Sequence, residues 1–315
     1  MRQPVRAVRP CGLPRAAASP LRTGQAAIWG ALADPAGGQT INAHSRPEDL
    51  IRLPRARGTL ALTARARDGA TVIGDLSQSG ASKLLFPRTG GDLTAVVLNT
   101  AGGVTGGDSF TLTAAAGPGT HLTLTTQTAE RVYRALPGTP GHVSTRLTVA
   151  DGASLHWLPQ ETILFDRSAL DRRLTVDLAP GARLLLCESL IFGRAAMDEV
   201  VREVRLTDRV TVRRDGLPLV ADAVRMDGDA AALLARPAVA GGAAALASVT
   251  LVAPGAAAHL SAIRDLIGPL GGASAPKDDL LRLRLLAPDG FDLRRALVPV
   301  LTRLAGRPLP KVWSL

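Results

Sequence analysis

Lysine is almost missing from this sequence. Lys83, Lys277 and Lys311 stand among 37 cationic residues, and all the others are arginines. That skew reads as a high-GC coding bias and says little about phosphate recognition. Aromatic residues are nearly as scarce, with five Phe, three Trp and one Tyr in 315 residues. Nine aromatics leave no aromatic-basic stripe on which bases could stack, and they equip sugar subsites poorly. Two cysteines, Cys11 and Cys187, cannot build a disulfide framework, so a reducing compartment fits. No apolar run is long enough to span a bilayer. The N-terminal arginines are interrupted by proline and glycine before any signal-peptide layout forms. Cytoplasm is the expected location, with no membrane partner.

What is present is charge of one sign, unevenly placed. The net charge of +10 suggests nucleic acid. However, residues 1–57 hold nine arginines against three acidic residues, while the remaining 258 hold 28 basic and 24 acidic. The globular part is nearly balanced, which argues against a nucleic-acid partner. Residues 1–57 are rich in Arg, Pro, Ala and Gly without periodicity and read as a disordered extension. Residues 58–315 read as a single β-rich domain.

From Gly58 onward the apolar residues alternate in short segments. Strands are predicted at Thr59–Arg67, Leu93–Leu98, Phe110–Thr113, His121–Thr125, Val143–Val149, Ser154–Leu158, Leu174–Leu178, Arg183–Cys187, Glu203–Leu206, Val210–Arg213 and Leu281–Leu285. Turn pairs such as Asp68-Gly69, Gly90-Gly91, Asp151-Gly152 and Asp215-Gly216 punctuate them. Gly119-Thr-His-Leu-Thr-Leu, Gly152-Ala-Ser-Leu-His-Trp and Gly181-Ala-Arg-Leu-Leu-Leu align on their glycines, 33 and 29 residues apart. Gly255-Ala-Ala-Ala-His-Leu is a weaker fourth copy. A turn-strand unit at this period suits stacked sheets or a β-solenoid. Helical spacing comes late, at Leu260–Leu270 and Leu293–Leu304. The second helix has a candidate cap at Asp292 and a kink or boundary expected at Pro299. The class is mainly β, with a β-helix-like stack and a few C-terminal helices.

The glycine-rich segment Asn99–Asp108 has no Lys-Ser/Thr after it and runs on into a strand, so it is no P-loop. It reads as backbone that turns tightly. The histidines are scattered and unpaired at helical spacing, and the repeat places His121 and His156 on the face opposite the inward leucines, as surface residues. No nucleophile-elbow pattern occurs. Acidic residues do fall in apolar β context: Glu161 and Asp166 in Gln160–Asp166, and Glu188 in Leu186–Leu190. Paired carboxylates of this kind could hydrolyse sugars, line a polar conduit for a cation, or simply cap strands.

The same segments carry a family resemblance. Leu98-Asn-Thr-Ala-Gly-Gly-Val-Thr-Gly-Gly-Asp108, Gln127-Thr-Ala-Glu-Arg-Val-Tyr-Arg134, Trp157-Leu-Pro-Gln-Glu-Thr-Ile-Leu-Phe-Asp166, Glu188-Ser through Gly193-Arg-Ala-Ala-Met-Asp-Glu199, and Leu309-Pro-Lys-Val-Trp-Ser-Leu315 resemble, in order, five blocks of the UreD/UreH urease accessory proteins. Three departures stand out, and one is that the extension 1–57 has no recognisable counterpart in the family. Asp198 occupies a position that is usually Gly, and residues 167–173 are more charged than the usual continuation of the third block. The resemblance implies a β-rich stack that catalyses nothing. It implies a non-catalytic scaffold for urease maturation that binds apo-urease and UreF, reaches the GTPase UreG through UreF, and assists nickel delivery. No tightly bound cofactor is implied, only transient Ni²⁺. Asp108, Asp166 and Glu199 are the leading candidates for a nickel path, with Glu161 and Glu188 behind them. The rival reading is a β-solenoid carbohydrate-active enzyme using paired carboxylates.

Overall fold

A computed structural model of the chain describes residues 54–88 and 92–314. The extension expected over residues 1–57 lies, through Leu53, outside the described residues, as do Cys11 and the Gly90-Gly91 turn signal. The first strand, β1 (Arg57–Arg67), is paired antiparallel with β2 (Ala70–Gly80), and β3 (Ser82–Leu85) follows.

Four coils come next. The first is β4 (Leu93–Asn99) and β5 (Ser109–Ala116); the second is β6 (His121–Thr126), the short β7 (Glu130–Val132) and β8 (Gly141–Val149). The third is β9 (Ser154–Leu158), β10 (Thr162–Leu164) and β11 (Ser168–Leu178); the fourth is β12 (Arg183–Phe192) and β13 (Val204–Arg214). The first strand of each coil joins one sheet and the last joins the other, each stacking parallel on the coil before it. The chain then closes with β14 (Leu217–Gly228), α1 (Ala230–Leu234), β15 (Ala245–Val252), α2 (Leu260–Ile267), β16 (Gly271–Lys277), β17 (Leu280–Ala287) and α3 (Gly290–Ala305). Among the described residues strand accounts for 53 % and helix for 16 %, so the mainly β, solenoid-like class expected is the class found.

The glycine repeat is the coil. Gly119 and Gly152 both take φ +68 in the turns that open β6 and β9, a conformation that costs a residue with a Cβ. Because each turn resets the same register, Leu122, Leu155 and Leu184 stack in a ladder, as do Leu124, Trp157 and Leu186. All six are buried between the sheets against Leu112, Leu147, Leu174 and Val176. Each buried leucine contributes about 2 kcal/mol. Gly255 is no fourth copy: it opens a 3-10 turn over Ala256–His259.

Helices α2 and α3 form a third layer on the outer face of the β12 sheet, while Ala230 and Leu234 of α1 pack into the cluster around Leu170 and Leu190. Leu293, Leu297, Val300, Leu301 and Leu304 of α3 are buried against Leu158, Leu185 and Cys187. The cap of α3 is Asp289, which accepts the Asp292 amide, and not Asp292 itself. Pro299 neither ends nor bounds α3, because the residues on both sides of it are locked into this apolar layer. The same layer explains a second correction. His121 and His156 do face away from the leucine ladder, yet both are only 7 % exposed. Their rings meet edge to face at 4.5 Å beside the Asp92–Arg307 ion pair. Burial, with Arg307 adding to it, lowers His121 to about 4; burial, with His121 and Arg307 adding to it, lowers His156 to about 3.

Candidate functional site

The parallel ladder of the β12 sheet is broken at one level. Residues 127–129 interrupt the run from β6 to β7, and residues 159–161 interrupt that from β9 to β10, whereas β12 runs through, pairing β9 with its first half and β10 with its last. At this level the inward positions stop being leucine. Along β12 the inward phase reads Leu184, Leu186, Glu188, Leu190. On β11 it reads Leu170, Arg172, Leu174, and on β13 Leu206, Asp208, Val210. A polar layer therefore separates two apolar clusters, one around Leu122 and Leu174, the other around Leu170 and Leu190.

Arg172 sits at the centre of this layer. Its Nε and Nη2 donate to Asp208 at 2.9 and 2.7 Å, and its Nη1 lies 2.7 Å from Glu188 and donates to Thr162 at 2.9 Å. Trp157 Nε1 donates to the other oxygen of Glu188 at 2.7 Å. The Asn99 amide donates to Glu130 at 3.2 Å and to the Gly103 carbonyl at 2.8 Å. Two carboxyl groups, those of Glu188 and Asp208, thus grip one guanidinium, and Glu130 lines the same cavity as Arg172. Burial pushes Glu130 up to about 7 despite Asn99, Arg131 and Arg172, which favour its anion. Burial also raises Glu188, assisted by Asp208 and opposed by Arg172 and Trp157. Burial works against the Arg172 cation, but Asp208 and Glu188 outweigh it and hold the charge.

Arg172, Glu188, Trp157, Thr162, Asn99 and Glu130 border a cavity of about 100 Å³ between the sheets. It shares Asn99 and Glu130 with a surface hollow at Gln127–Arg131. On its far side Glu188 also borders a small pocket with Asp208, Asp222 and Ser248. That pocket shares Ala223, Val224 and Leu246 with a broad groove at the open end of the stack. Asp222, on β14, is gripped there by Arg282 and Arg284 at 2.7 Å each. Those arginines outweigh burial and lower its pKa. The Gln160 amide nitrogen, buried in the wall of the central cavity, has no protein partner, so a hydrogen-bond donor is left for a guest.

The sequence-predicted carboxylates divide. Asp108 accepts the amides of Ala56 at 2.8 Å and Thr105 at 2.9 Å and so pins the glycine-rich loop to the start of β1. Asp166 accepts the amides of Arg202 at 2.8 Å and Glu203 at 3.0 Å. Glu199 accepts the Asp166 amide at 3.2 Å and Arg194 at 2.7 Å. Burial pushes Glu199 up, but these partners win and leave its pKa lowered. Asp166 and Glu199 are therefore brought together as braces between two loops, and Asp108 stands apart from them. Glu161 binds Arg294 of α3 at 3.2 Å, on the outer side of the break. Of the five, Glu188 faces the cavity. No three His, Cys, Asp or Glu residues among those described are grouped so as to hold a metal ion.

Arg172, Asp208 and Glu130 were missed by the sequence reading. The available signal was a charge in the inward phase of an alternating strand. It was visible in Leu170-Asp-Arg-Arg-Leu174, the segment already noted as more charged than its block. The glycine loop is the tight backbone turn expected. A Cβ on Gly103, at φ +156, would lie 2.6 Å from the Arg131 carbonyl, in the stretch where Val104 pairs with Val132. Asp198 takes φ 50, a left-handed conformation that glycine adopts freely and Asp tolerates better than most.

Comparison with known proteins adds the following. The model of the UreD urease accessory protein family matches residues 56–314. A protein of Roseobacter denitrificans described as urease accessory protein UreD is 47 % identical over 262 residues, which is 83 % of this chain and 96 % of that protein. Proteins of the same description from a Ruegeria species and from Rhizobium rhizogenes are 49 % identical over 283 residues and 45 % over 267. Those alignments cover 86 % and 84 % of this chain and 95 % and 97 % of the relatives.

Proposed function

The chain belongs to the UreD urease accessory protein family, and from that premise we propose that it acts in urease maturation as a non-catalytic scaffold through whose interior nickel passes to apo-urease. Nickel is cargo here, not a resident cofactor. UreF, and UreG through UreF, are the proposed partners.

One observation carries the nickel reading: a row of neighbouring hollows in which each shares lining residues with the next, first Asn99 and Glu130, then Glu188, then Ala223 and Val224. Oxygen ligands spread along it suit a borderline cation that must be bound weakly and released. Glu130, Glu188 and Asp208 are the proposed stations. Asp108, Asp166 and Glu199, the first candidates from sequence, are proposed instead to brace the loops around it, since each serves backbone amides or an arginine and none of the three borders the hollows. The carbohydrate-enzyme reading is not favoured. The carboxylates that face each other border about 100 Å³, short of the roughly 300 Å³ at which small-molecule pockets begin.

The test is deletion of the gene beside an intact urease operon, with return of the wild-type chain as control. The expected result is urease protein that accumulates without nickel and without activity. Full nickel content in the deletion strain would refute the proposal. Co-purification with UreF tests the partner.

A further inference from the structure

We infer that Arg172 is a tethered competitor for the passing cation: a positive charge built into the interior that stops a divalent metal from settling there. The inference rests on the route proposed above and concerns how that route avoids becoming a trap.

The guanidinium occupies the place a metal would take. It forks onto Asp208 at 2.9 and 2.7 Å and reaches Glu188 at 2.7 Å. Glu188 borders both the central cavity and the small pocket beyond it. The Arg172–Glu188–Asp208 bridge is therefore the partition between the two compartments. Trp157 holds one oxygen of Glu188 and Arg172 the other. A cation arriving from Glu130 finds the next two carboxylates already engaged by an internal cation that cannot diffuse away. Tethering gives that competitor an effective concentration no free ion matches. Yet Glu130 lines the same cavity with no arginine among the described residues gripping it, so an arriving cation still finds a carboxyl oxygen to bind. Without Arg172, Glu188 and Asp208 would be left as a pair of oxygen donors with no internal cation between them, and a divalent metal that displaces their protons could take its place. An arginine serving structure alone would predict a less stable protein on removal and no gain in metal.

The experiment is equilibrium dialysis of the purified full-length chain against NiCl₂, with no other ligand, comparing wild type with Arg172→Met. The variant is expected to retain at least one additional Ni²⁺, with a dissociation constant about tenfold or more lower. Adding Glu188→Gln should reverse the gain. Retention no greater than wild type overturns the inference. Should Arg172→Met lose the far-UV circular dichroism of the wild type, Arg172→Lys carries the test. A lysine cannot fork onto Asp208 while reaching Glu188, so retention should rise to a smaller extent, and retention equal to wild type overturns the inference again. Measuring urease nickel in cells carrying Glu188→Gln separates the two ideas. If that content is normal, the route fails and the inference with it. If it falls while Arg172→Met gains no metal, only the competitor role is refuted.

Discussion

Glu130→Gln should make the protein more stable and less useful. The native carboxyl, half-buried beside Asn99, sits at about 7 against an ordinary value of 4.5. A carboxyl raised on folding contributes stability that is fully present below about pH 4.5 and is lost as pH rises through 7. The gap of 2.5 pH units corresponds to about 3 kcal/mol at pH 8. Glutamine keeps an oxygen to accept from Asn99 but has no charge to bury. The variant should therefore match wild type near pH 4.5 and exceed it by about 3 kcal/mol at pH 8. Urea unfolding at pH 5, 6.5 and 8 gives the comparison, with the difference between variant and wild type cancelling every other titrating group. A difference that is flat with pH would refute the burial argument. A gain in stability together with a loss of urease nickel would mark Glu130 as a charge kept for function at a cost to the fold.

Other outcomes follow from the same geometry. His121 and His156 are lowered on folding, so their contribution is lost as pH falls below 6.5, by about 2 kcal/mol each at pH 5. A His121→Asn, His156→Gln double variant should lack that part of the acid sensitivity in urea melts. Asp108→Ala strips the acceptor from the Ala56 and Thr105 amides and should cost about 3 kcal/mol, while the folded fraction loads nickel normally. Asp198→Gly should relieve the left-handed strain for a gain of up to about 1 kcal/mol in thermal unfolding, whereas Asp198→Val should destabilise.

The coil architecture was legible because a glycine turn followed by an alternating strand recurs in three of the four coils. β9 was placed to the residue, while β11, β12 and the single strand β13 outran their predicted segments. The reason lies in the polar layer. Arg172, Glu188 and Asp208 break the apolar alternation where strands continue through the interior, so the prediction stopped, or split, at the functional residues. Edge strands such as β2 and β16 lacked an inward apolar phase to read. The histidines were assigned to the correct face but the wrong environment, because periodicity cannot show that α3 and the C-terminal segment cover part of that face. Asp108, Asp166 and Glu199 were conspicuous through their blocks, and those blocks do stack around the break. Their side chains hold loops, and the inward charges came from positions that looked like ordinary strand.

The most direct measurement of the central claim is the nickel content of urease purified from cells in which this chain carries Glu130→Gln and Glu188→Gln together. Both changes keep hydrogen-bond acceptors for Asn99 and Trp157 and remove two ionisable carboxyl groups from the interior. The account predicts a folded accessory protein, urease at its normal abundance, and nickel per active site well below wild type. Urease fully loaded with nickel in that strain would contradict it.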